Sequence, residues 1–392
     1  MEAFPFRKIR LIRVCSKTLV CLASTVIFSA GCKHIPKKDK KLFELLGNDW
    51  TNIDFNNKLT YDNQFNIFTY RNFYTGGGVA AGDINNDGLP DIFFTGNQVA
   101  NRLYLNKGNF QFDDITEKAG IQKKGKWSTG VCMADVNGDG LLDIYVCYSG
   151  IALGDSRHNE LYINHSNGKF TEEAEAYGIA DGGYSTHAAF FDYDHDGDLD
   201  LFLLRNASKP IGTFNLQHNE RNIRDSLGGD KLYRNDRGHF VDVSEEAGIY
   251  GSVIGFGLGV TVDDVNNDGW PDIYVSNDFF ERDYLYINNR NGRFTEELEN
   301  QMHSISNASM GADMADINND GHPDIFVTEM LPEQESRIKV NTTFENWEKY
   351  QLDRKYGYYN QFTRNTLQLN NGNNTFSEIG RLSGVQATDW SW

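Results

Sequence analysis

The chain has 392 residues, 39% of them hydrophobic and 23% charged, and this length suits one large domain or two ordinary ones. Intrinsic disorder of the bulk is excluded, because 13% aromatic residues can bury enough surface to offset chain entropy. The formal net charge of −18 argues against nucleic-acid binding, since phosphates require a basic surface.

The first 31 residues are organised like a secretory signal peptide. Five basic side chains precede a mostly apolar run over 18–30, which is too short to span a bilayer comfortably. The run ends in Ala30-Gly31-Cys32 and resembles a bacterial lipoprotein signal, although Ser29 stands where such signals usually place leucine. We therefore predict a signal peptide over 1–31, lipidation at Cys32, a tether over 32–41, and export to the cell envelope, as an outer-membrane lipoprotein or at the cell surface.

Five segments share the pattern D-x-[ND]-x-D-G-x-x-D and are predicted to bind about five Ca²⁺ ions. Oxygen ligands at alternate positions converge on a hard cation when the loop curls, and glycine at position 6 permits the sharp turn. A single copy could be an Asx-rich turn without metal, but five copies favour calcium. The predicted ligands are Asp83, Asn85, Asp87, Asp91, Asp135, Asn137, Asp139, Asp143, Asp192, Asp194, Asp196, Asp200, Asp264, Asn266, Asp268, Asp272, Asp316, Asn318, Asp320 and Asp324.

The flanks of these loops exclude an EF-hand, which needs glutamate at position 12 and a helix on each side. Here position 12 is apolar in all five segments, and the sequence after each loop is typical of a strand. Position 9 must therefore supply the closing carboxylate, and each loop is expected at the tip of a β-hairpin. The third loop should bind calcium most tightly, because it has Asp194 where the others have asparagine and an added Asp198.

Two cysteines, Cys132 and Cys147, remain beyond the signal and the lipidation site, too few for a disulfide framework. A hairpin register centred on the loop places them opposite each other. Facing strand residues can be close enough to bridge, and an exported protein meets oxidising conditions. Two alternatives stay open, a disulfide and a pair of packed thiols.

Each loop begins a unit of four short predicted strands joined as a meander. A strand with Leu-Tyr (Leu-Gln in the fifth unit) follows the hairpin, and a strand containing phenylalanine closes the unit. The hairpin's second strand is apolar on both faces, as expected of a sheet covered on both sides. Units of this kind predict an all-β fold, a β-propeller of four-stranded blades.

The loops resemble those of the FG-GAP or VCBS repeat, which builds the integrin α-chain head and many bacterial envelope proteins. The small-residue strands at 76–80 and 255–259 strengthen the resemblance, which covers about residues 42–392. The segments Phe73-Tyr-Thr-Gly-Gly-Gly-Val and Glu329-Met-Leu-Pro-Glu resemble a bacterial group whose repeats often precede an ASPIC/UnbV domain. The resemblance implies a propeller, calcium at the loops, and adhesion or ligand binding without catalysis.

The spacing of the units predicts a propeller that extends past the five loops. Four units take 30 or 31 residues from the Leu-Tyr tyrosine to the next loop, so a sixth loop would begin at about residue 398. Trp390 matches Trp127 in spacing, which puts residue 392 inside the first strand of a sixth unit, of seven expected. Residues 43–55 resemble the closing strands of a unit, so 42–75 are expected to pair with strands beyond 392.

All length variation between units falls in the connection between strands 2 and 3, which takes 13, 19, 33, 14 and 44 residues from position 9. In a meander this connection lies opposite the calcium loops, so the insertions at 205–229 and 331–364 should share one face, where binding usually occurs. Seven aromatic residues within 344–362 predict an exposed aromatic surface besides the rings that pack. Arg221, Arg224 and Lys231 are candidate charge-assisted contacts to a ligand.

Two function classes remain. The favoured one is a calcium-stabilised binding or adhesion module, envelope-anchored or secreted, that recognises a protein or glycan. It would meet the membrane only through its lipid anchor, bind no nucleic acid and have no catalytic residues. The alternative is a polysaccharide-active enzyme of the lyase type, which needs a base of near-neutral pKa and a cation to hold a uronate. No such set is recognisable in the sequence, and a G-x-S-x-G elbow, H-E-x-x-H and a P-loop are absent from it.

Overall fold

The computed structural model describes residues 42–121, 126–150, 157–341 and 347–389. The predicted signal peptide, the tether, Cys32, Phe344 and Trp390 lie outside these ranges. Residues 46–392 form one compact unit, distinct from residues 1–45.

The described strands form five four-stranded antiparallel sheets, here called blades 1 to 5, each ordered along the chain as a meander. Blade 1 contains β1 (Val79–Gly82), β2 (Asp91–Phe94), β3 (Arg102–Asn106) and β4 (Phe112–Asp114), and blade 2 contains β5 (Ser128–Ala134), β6 (Asp143–Tyr148), β7 (Glu160–Asn164) and β8 (Phe170–Glu172). Blade 3 contains β9 (Ser185–Phe191), β10 (Asp200–Arg205), β11 (Lys231–Asn235) and β12 (Phe240–Asp242), and blade 4 contains β13 (Gly257–Asp263), β14 (Asp272–Asn277), β15 (Tyr284–Asn288) and β16 (Phe294–Glu296). The short β17 (Ile305–Ser306) precedes blade 5, which contains β18 (Ala312–Ala315), β19 (Asp324–Val327), β21 (Thr366–Asn370) and β22 (Phe376–Glu378). Between β19 and β21, β20 (Gln361–Phe362) pairs in parallel with β17.

The first strands of successive blades lie side by side, which is the arrangement of a propeller-like β fold. The Gly78 amide donates to the Thr129 carbonyl (2.8 Å), and the Thr186 hydroxyl donates to the Gly257 carbonyl (2.8 Å). A Cβ on Gly130 would lie 2.5 Å from the Thr186 carbonyl oxygen. The small residues of these strands therefore let neighbouring blades approach, and the predicted fold class is confirmed.

The core lies between neighbouring blades, because blades 2, 3 and 4 bury both faces of their second strands. Every residue of β6, β10 and β14 is buried. The apolar residue at loop position 2 shows the effect of stacking. Ile84, Val136, Tyr193 and Val265 are buried next to a following blade, whereas Ile317 of blade 5 is 52% exposed. Contact between blades therefore supplies much of the hydrophobic burial.

The helices are short and mostly close a blade. They are α1 (Asn48–Thr51), α2 (Thr116–Ala119), α3 (Ala174–Tyr177), α4 (Leu298–Gln301), α5 (Glu335–Asn341) and α6 (Trp347–Lys355), with 3-10 turns at Arg71–Tyr74 and Ile211–Thr213. Gly120 ends α2 in the left-handed region (φ 83°), and a Cβ there would lie 3.0 Å from the Phe170 carbonyl oxygen of the next blade. Glycine suits both constraints.

Residues 48–53 repeat this closing turn against blade 1. Asn52 ends α1 with a φ of 59°, and its side-chain amide donates to the Phe112 carbonyl (3.0 Å). The expected closing strands within 43–55 are absent among the described residues, since α1 occupies this stretch. The prediction of closing strands over 43–55 was therefore wrong, and this stretch instead forms a turn like those that close the blades.

The predicted register of the loop hairpins was wrong by two residues. Cys132 pairs with Tyr145 and not with Cys147, and both cysteines are free thiols. The position-9 aspartate is already a strand residue, paired with the residue before position 1, as Asp143 is with Ala134. The hairpin therefore closes over eight loop residues instead of ten. This correction excludes the facing arrangement on which the disulfide rested.

Candidate metal loops and insertion face

All five predicted loops lie at the tips of β-hairpins with the same backbone geometry. Positions 4 and 6 are left-handed in each loop, for example Asn86 (φ 58°) and Gly88 (φ 84°) in blade 1. The Asp83 carboxylate, at position 1, accepts hydrogen bonds from the amides of Asp87 (3.1 Å) and Gly88 (2.6 Å). Position 4 was not recognised from the sequence, although its recurrent asparagine was a signal for a left-handed residue.

The position-9 aspartates are buried and hold each loop closed. Asp200 accepts hydrogen bonds from the amides of Tyr193 (3.0 Å) and Asn235 (2.8 Å), and the other four repeat this pair of bonds. Burial raises the pKa of Asp143 to about 6 and that of Asp200 and Asp272 to about 7. These carboxylates thus join the loop to the third strand of its own blade.

The third loop brings three carboxylates together. Oxygens of Asp192, Asp194 and Asp200 lie within 4.8 Å of one another. One oxygen of Asp192 and one of Asp194 are buried and have no hydrogen-bond partner among the described residues. Burial, and then the Asp196 carboxylate, raises the pKa of Asp194. Orphaned carboxylate oxygens converging on one point fit a Ca²⁺ ion, which takes only oxygen ligands.

In the other loops, the position-5 carboxylate has a partner within the protein. The Asn85 side-chain amide donates to Asp87 (3.1 Å), and blades 2 and 5 repeat this bond. In the fourth loop, the Arg290 guanidinium pairs with Asp268 (2.7 Å). Asp198 of the third loop accepts a hydrogen bond from the Arg237 amide, so its side chain is already engaged. The third loop therefore differs from the rest through Asp194.

Asparagines that end the third strand connect neighbouring loops, and sequence reasoning missed them. The Asn288 side-chain amide donates to the Pro271 carbonyl of its own loop (3.3 Å) and to the Tyr193 carbonyl of the preceding loop (2.9 Å). Asn164, Asn235 and Asn370 make the same two bonds. The signal was present, because an asparagine follows every Leu-Tyr or Leu-Gln strand.

On the opposite face, Arg205 anchors the first insertion. Its guanidinium is 2% exposed, donates to the Gly229 carbonyl (2.7 Å) and the Gly228 carbonyl (2.8 Å), and pairs with Asp181 (3.2 Å). Burial opposes ionisation of Asp181, but Arg205 and Lys231 outweigh it and lower the pKa of this carboxyl. Both ends of the insertion are thus fixed to the blade by one buried cation.

The two insertions share this face and meet each other, since the Arg221 guanidinium donates to the Gly357 carbonyl (2.7 Å). The basic residues predicted to contact a ligand have partners within the fold, and their contact with a ligand stays a prediction. Arg221 pairs with the buried Glu281, Arg224 donates to the Ile249 carbonyl (2.9 Å), and Lys231 pairs with Asp181 (2.9 Å). Each of these cations is engaged within the fold.

The aromatic residues of the second insertion divide into packed and exposed rings. Tyr358 is buried, whereas Trp347 is 71% exposed. The Trp347 ring lies 5.5 Å from that of Tyr350, which lies 5.7 Å from that of Phe362. Trp347, Tyr350 and Phe362 thus form a row of rings, and the exposed end of this row, Trp347, lies where an aromatic surface was expected.

Residues 65–75 run over the same face and border two cavities. The first has a volume of about 320 Å³ and is lined by Asn206, Tyr184 and Lys209 among others. The second, of about 520 Å³, is lined by Asp278 and Phe279. Both are lined also by Ile67, Arg71 and Asn72. Burial raises the pKa of Asp278 to about 7.

The repeated loops also match a known repeat model. The FG-GAP-like repeat family matches residues 83–146, 150–203 and 264–327, which include all five loops. The chain contains FG-GAP-like repeats. This FG-GAP-like chain is 42% identical to cartilage acidic protein 1 of Xenopus tropicalis over 74 residues, which are 19% of this chain and 11% of that protein. It is 31% identical to integrin alpha-3 of Mus musculus over 99 residues, which are 22% of this chain and 9% of the integrin.

The FG-GAP-like chain thus spans about a tenth of the length of these two curated relatives. Among solved structures, it resembles a lectin of Agrocybe aegerita that recognises non-reducing terminal N-acetylglucosamine. That superposition has a TM-score of 0.38 and 17% identity, and it covers 76% of this chain and 63% of the lectin. At this score, the likeness carries no argument about function.

Proposed function

We propose that the chain is a calcium-stabilised binding or adhesion module that presents its ligand site on the insertion face. The observation that carries the proposal is the division between the faces. The loop face repeats one geometry five times, whereas the opposite face carries both long insertions, anchored by the buried Arg205 and joined through Arg221. Variable loops on a rigid scaffold are where proteins commonly bind ligands. The FG-GAP-like repeats and the similarity to integrin alpha-3 support this assignment.

Calcium in this proposal stiffens the loops and takes no part in ligand binding. The twenty predicted ligands would hold about five ions, and the orphaned oxygens of Asp192 and Asp194 support the assignment. Without cations, carboxylates crowded into each loop repel one another. The charge count makes the third loop the tightest site.

Export to the envelope or cell surface is part of the proposal and rests on the N-terminal sequence. The basic segment, the short apolar run and Cys32 support a lipid-anchored form. None of the helices in the described ranges is long and apolar enough to cross a bilayer.

A polysaccharide lyase remains the second candidate, because the structure provides a set that sequence reasoning did not find. Asp278 has a near-neutral pKa and lines a cavity with Arg71, as a base and a uronate-holding cation would. A lyase would raise the ultraviolet absorbance of an acidic polysaccharide as unsaturated ends form. A binding module would retain the polysaccharide without that rise.

The proposal is tested by shortening both insertions to the connection length of blade 1 and assaying a panel of immobilised glycans and matrix proteins. The wild type is expected to retain at least one panel member, and the double deletion to lose it while remaining folded in calcium, as circular dichroism would show. Deletion of each insertion alone provides the matched controls. Retained binding by a folded double deletion, or a wild type that binds nothing, would contradict the proposal.

A further inference from the structure

One position of each blade lies at the end of the second strand on the insertion face, six residues after the position-9 aspartate. These positions are Asn97, Ser149, Asn206, Asp278 and Met330. In blades 1 and 2 the polar side chain has protein partners. Asn97 donates to the carbonyls of Gly76 (2.8 Å) and Ser128 (2.8 Å), and the Ser149 hydroxyl accepts a hydrogen bond from Tyr70 (3.2 Å).

Asn206, in blade 3, breaks this pattern. Its residue is 3% exposed, and neither its side-chain oxygen nor its nitrogen has a hydrogen-bond partner in the described ranges. Its backbone is fixed, because the amide donates to the Tyr184 carbonyl (2.9 Å) and the residue forms an isolated bridge with Phe256. A buried amide without partners costs about 1–3 kcal/mol of folding stability, so this side chain is a candidate to hydrogen-bond a polar ligand.

Asp278 holds the equivalent position in blade 4. One carboxylate oxygen accepts a hydrogen bond from the Phe279 amide (2.6 Å), and the carboxylate lines the larger cavity. Phe279 has a φ of 68°, which is a strained conformation for an aromatic residue. Its ring packs edge-on against Phe256 at 4.8 Å. Strain of about 1–3 kcal/mol persists where the surroundings fix a functional geometry.

Arg71 lies between these two groups. It lines both cavities, is exposed, and forms no ion pair within the part of the chain that the structure describes. Its guanidinium lies 5.9 Å from the centre of the Phe279 ring. The two cavities are thus lined by an asparagine, an arginine and an aspartate, together with aromatic residues.

We propose that these cavities form a binding site for a neutral saccharide, held by Asn206, Arg71 and Asp278. Each of the three groups is planar and presents two polar atoms side by side, which matches adjacent hydroxyls of a sugar ring. The rings of Phe279 and Tyr184 supply apolar surface for the less polar face of the sugar. A cation and a carboxylate together favour a neutral sugar over a strongly anionic one. The inference rests on the proposed function and names its ligand class.

The experiment measures saturation-transfer NMR and calorimetric titration with the methyl glycosides of glucose, galactose and mannose. Glucuronic acid and an acidic peptide serve as comparisons, all in calcium. At least one neutral glycoside is expected to bind the wild type. Asn206→Leu should weaken this binding at least about tenfold, since it removes the paired donor and acceptor. Its melting midpoint should be unchanged or higher, because it also removes a buried unpaired amide.

Arg71→Ala should likewise weaken glycoside binding, whereas Arg293→Ala, an exposed arginine in the β15–β16 turn, should leave it unchanged. Equal glycoside affinity in wild type and Asn206→Leu would overturn the proposal, as would preferential binding of glucuronic acid or the peptide. If insertion-dependent binding to the immobilised panel persists while no glycoside binds, this inference fails and the proposed function stands. A wild type that binds neither a glycoside nor any member of the panel would contradict both this inference and the proposed function.

Discussion

The loop face and the insertion face differ in how their polar groups are satisfied. On the loop face, every position-9 aspartate has the same two backbone donors, and four asparagines repeat the same pair of carbonyl acceptors. On the insertion face, the side chains of Asn97 and Ser149 have partners, but that of Asn206 has none among the described residues. An unpartnered amide at a position where polar side chains of other blades have partners is therefore a candidate ligand contact.

The same reasoning singles out one copy on the loop face. The third loop leaves oxygens of Asp192 and Asp194 unpartnered, whereas the asparagine at position 3 satisfies its neighbour in blades 1, 2 and 5. Carboxylate oxygens suit a cation, and an amide suits hydroxyls. The two deviations therefore separate a metal role from a ligand role.

Removal of calcium should have the largest effect on stability. With free calcium at tenfold excess over Kd, each site contributes about 1.4 kcal/mol, or about 7 kcal/mol for five loops. Excess chelator should therefore lower the melting midpoint strongly. The measurement is differential scanning calorimetry with chelator, with calcium restored, and with magnesium as the control. An unchanged midpoint in chelator contradicts a structural role for calcium.

Asn288→Ala should lower the free energy of unfolding by about 2–4 kcal/mol, because it leaves a buried and a partly buried carbonyl, in neighbouring loops, without their donor. Asn106→Ala is the matched control, since the Asn106 side-chain amide donates, among the described residues, only to the Pro90 carbonyl of its own loop (2.8 Å). This variant should lose about half as much stability. Urea unfolding of both variants in calcium measures the difference. Equal losses would show that the bond to the preceding loop contributes no stability.

Asp194→Asn should change stability in opposite directions with and without calcium. In chelator it removes a carboxylate with an orphaned oxygen and like-charged neighbours, so stability should rise by about 0.5–1 kcal/mol. In calcium it removes a ligand charge, so affinity at the third loop should fall about tenfold, or about 1.4 kcal/mol. Chelator titrations followed by melting test both signs. A fall in stability in chelator would contradict the fit of a cation at this loop.

The smallest expected effect concerns the cysteines. Burial raises the pKa of the Cys147 thiol well above its ordinary value of 9.0, so the folded protein keeps the proton that the unfolded chain loses. Stability contributed by this thiol is therefore complete below pH 9 and decreases above it, by about 0.8 kcal/mol at pH 9.5. The comparison is the loss of stability between pH 7.5 and 9.5 in wild type and in Cys147→Ala. Labelling of denatured, unreduced protein should also find Cys132 and Cys147 both free.

The loops, strands and blades could be predicted because they repeat, and five copies of one spacing define a geometry that a single copy does not. The predicted hairpin register was wrong because Asp143 and its equivalents are hydrogen-bonded at the end of the second strand. The order of the ligand residues in the sequence does not reveal these bonds. The partners of the basic residues in the insertions could not be predicted for another reason. Arg221 and Lys231 pair with acids that are distant in sequence, so only the fold reveals those partners.

The measurement that tests the division between the faces most directly is the glycoside affinity of Asp200→Asn, set beside that of Asn206→Leu. Both are measured in calcium below the melting transition. Asp200→Asn disturbs a buried loop carboxylate with two amide donors. It should therefore lower the melting midpoint while leaving glycoside affinity within about twofold of wild type. Asn206→Leu should leave the melting midpoint unchanged or raise it, and should weaken glycoside binding at least about tenfold. A tenfold loss of affinity in folded Asp200→Asn would contradict the account, because the loop face would then take part in binding.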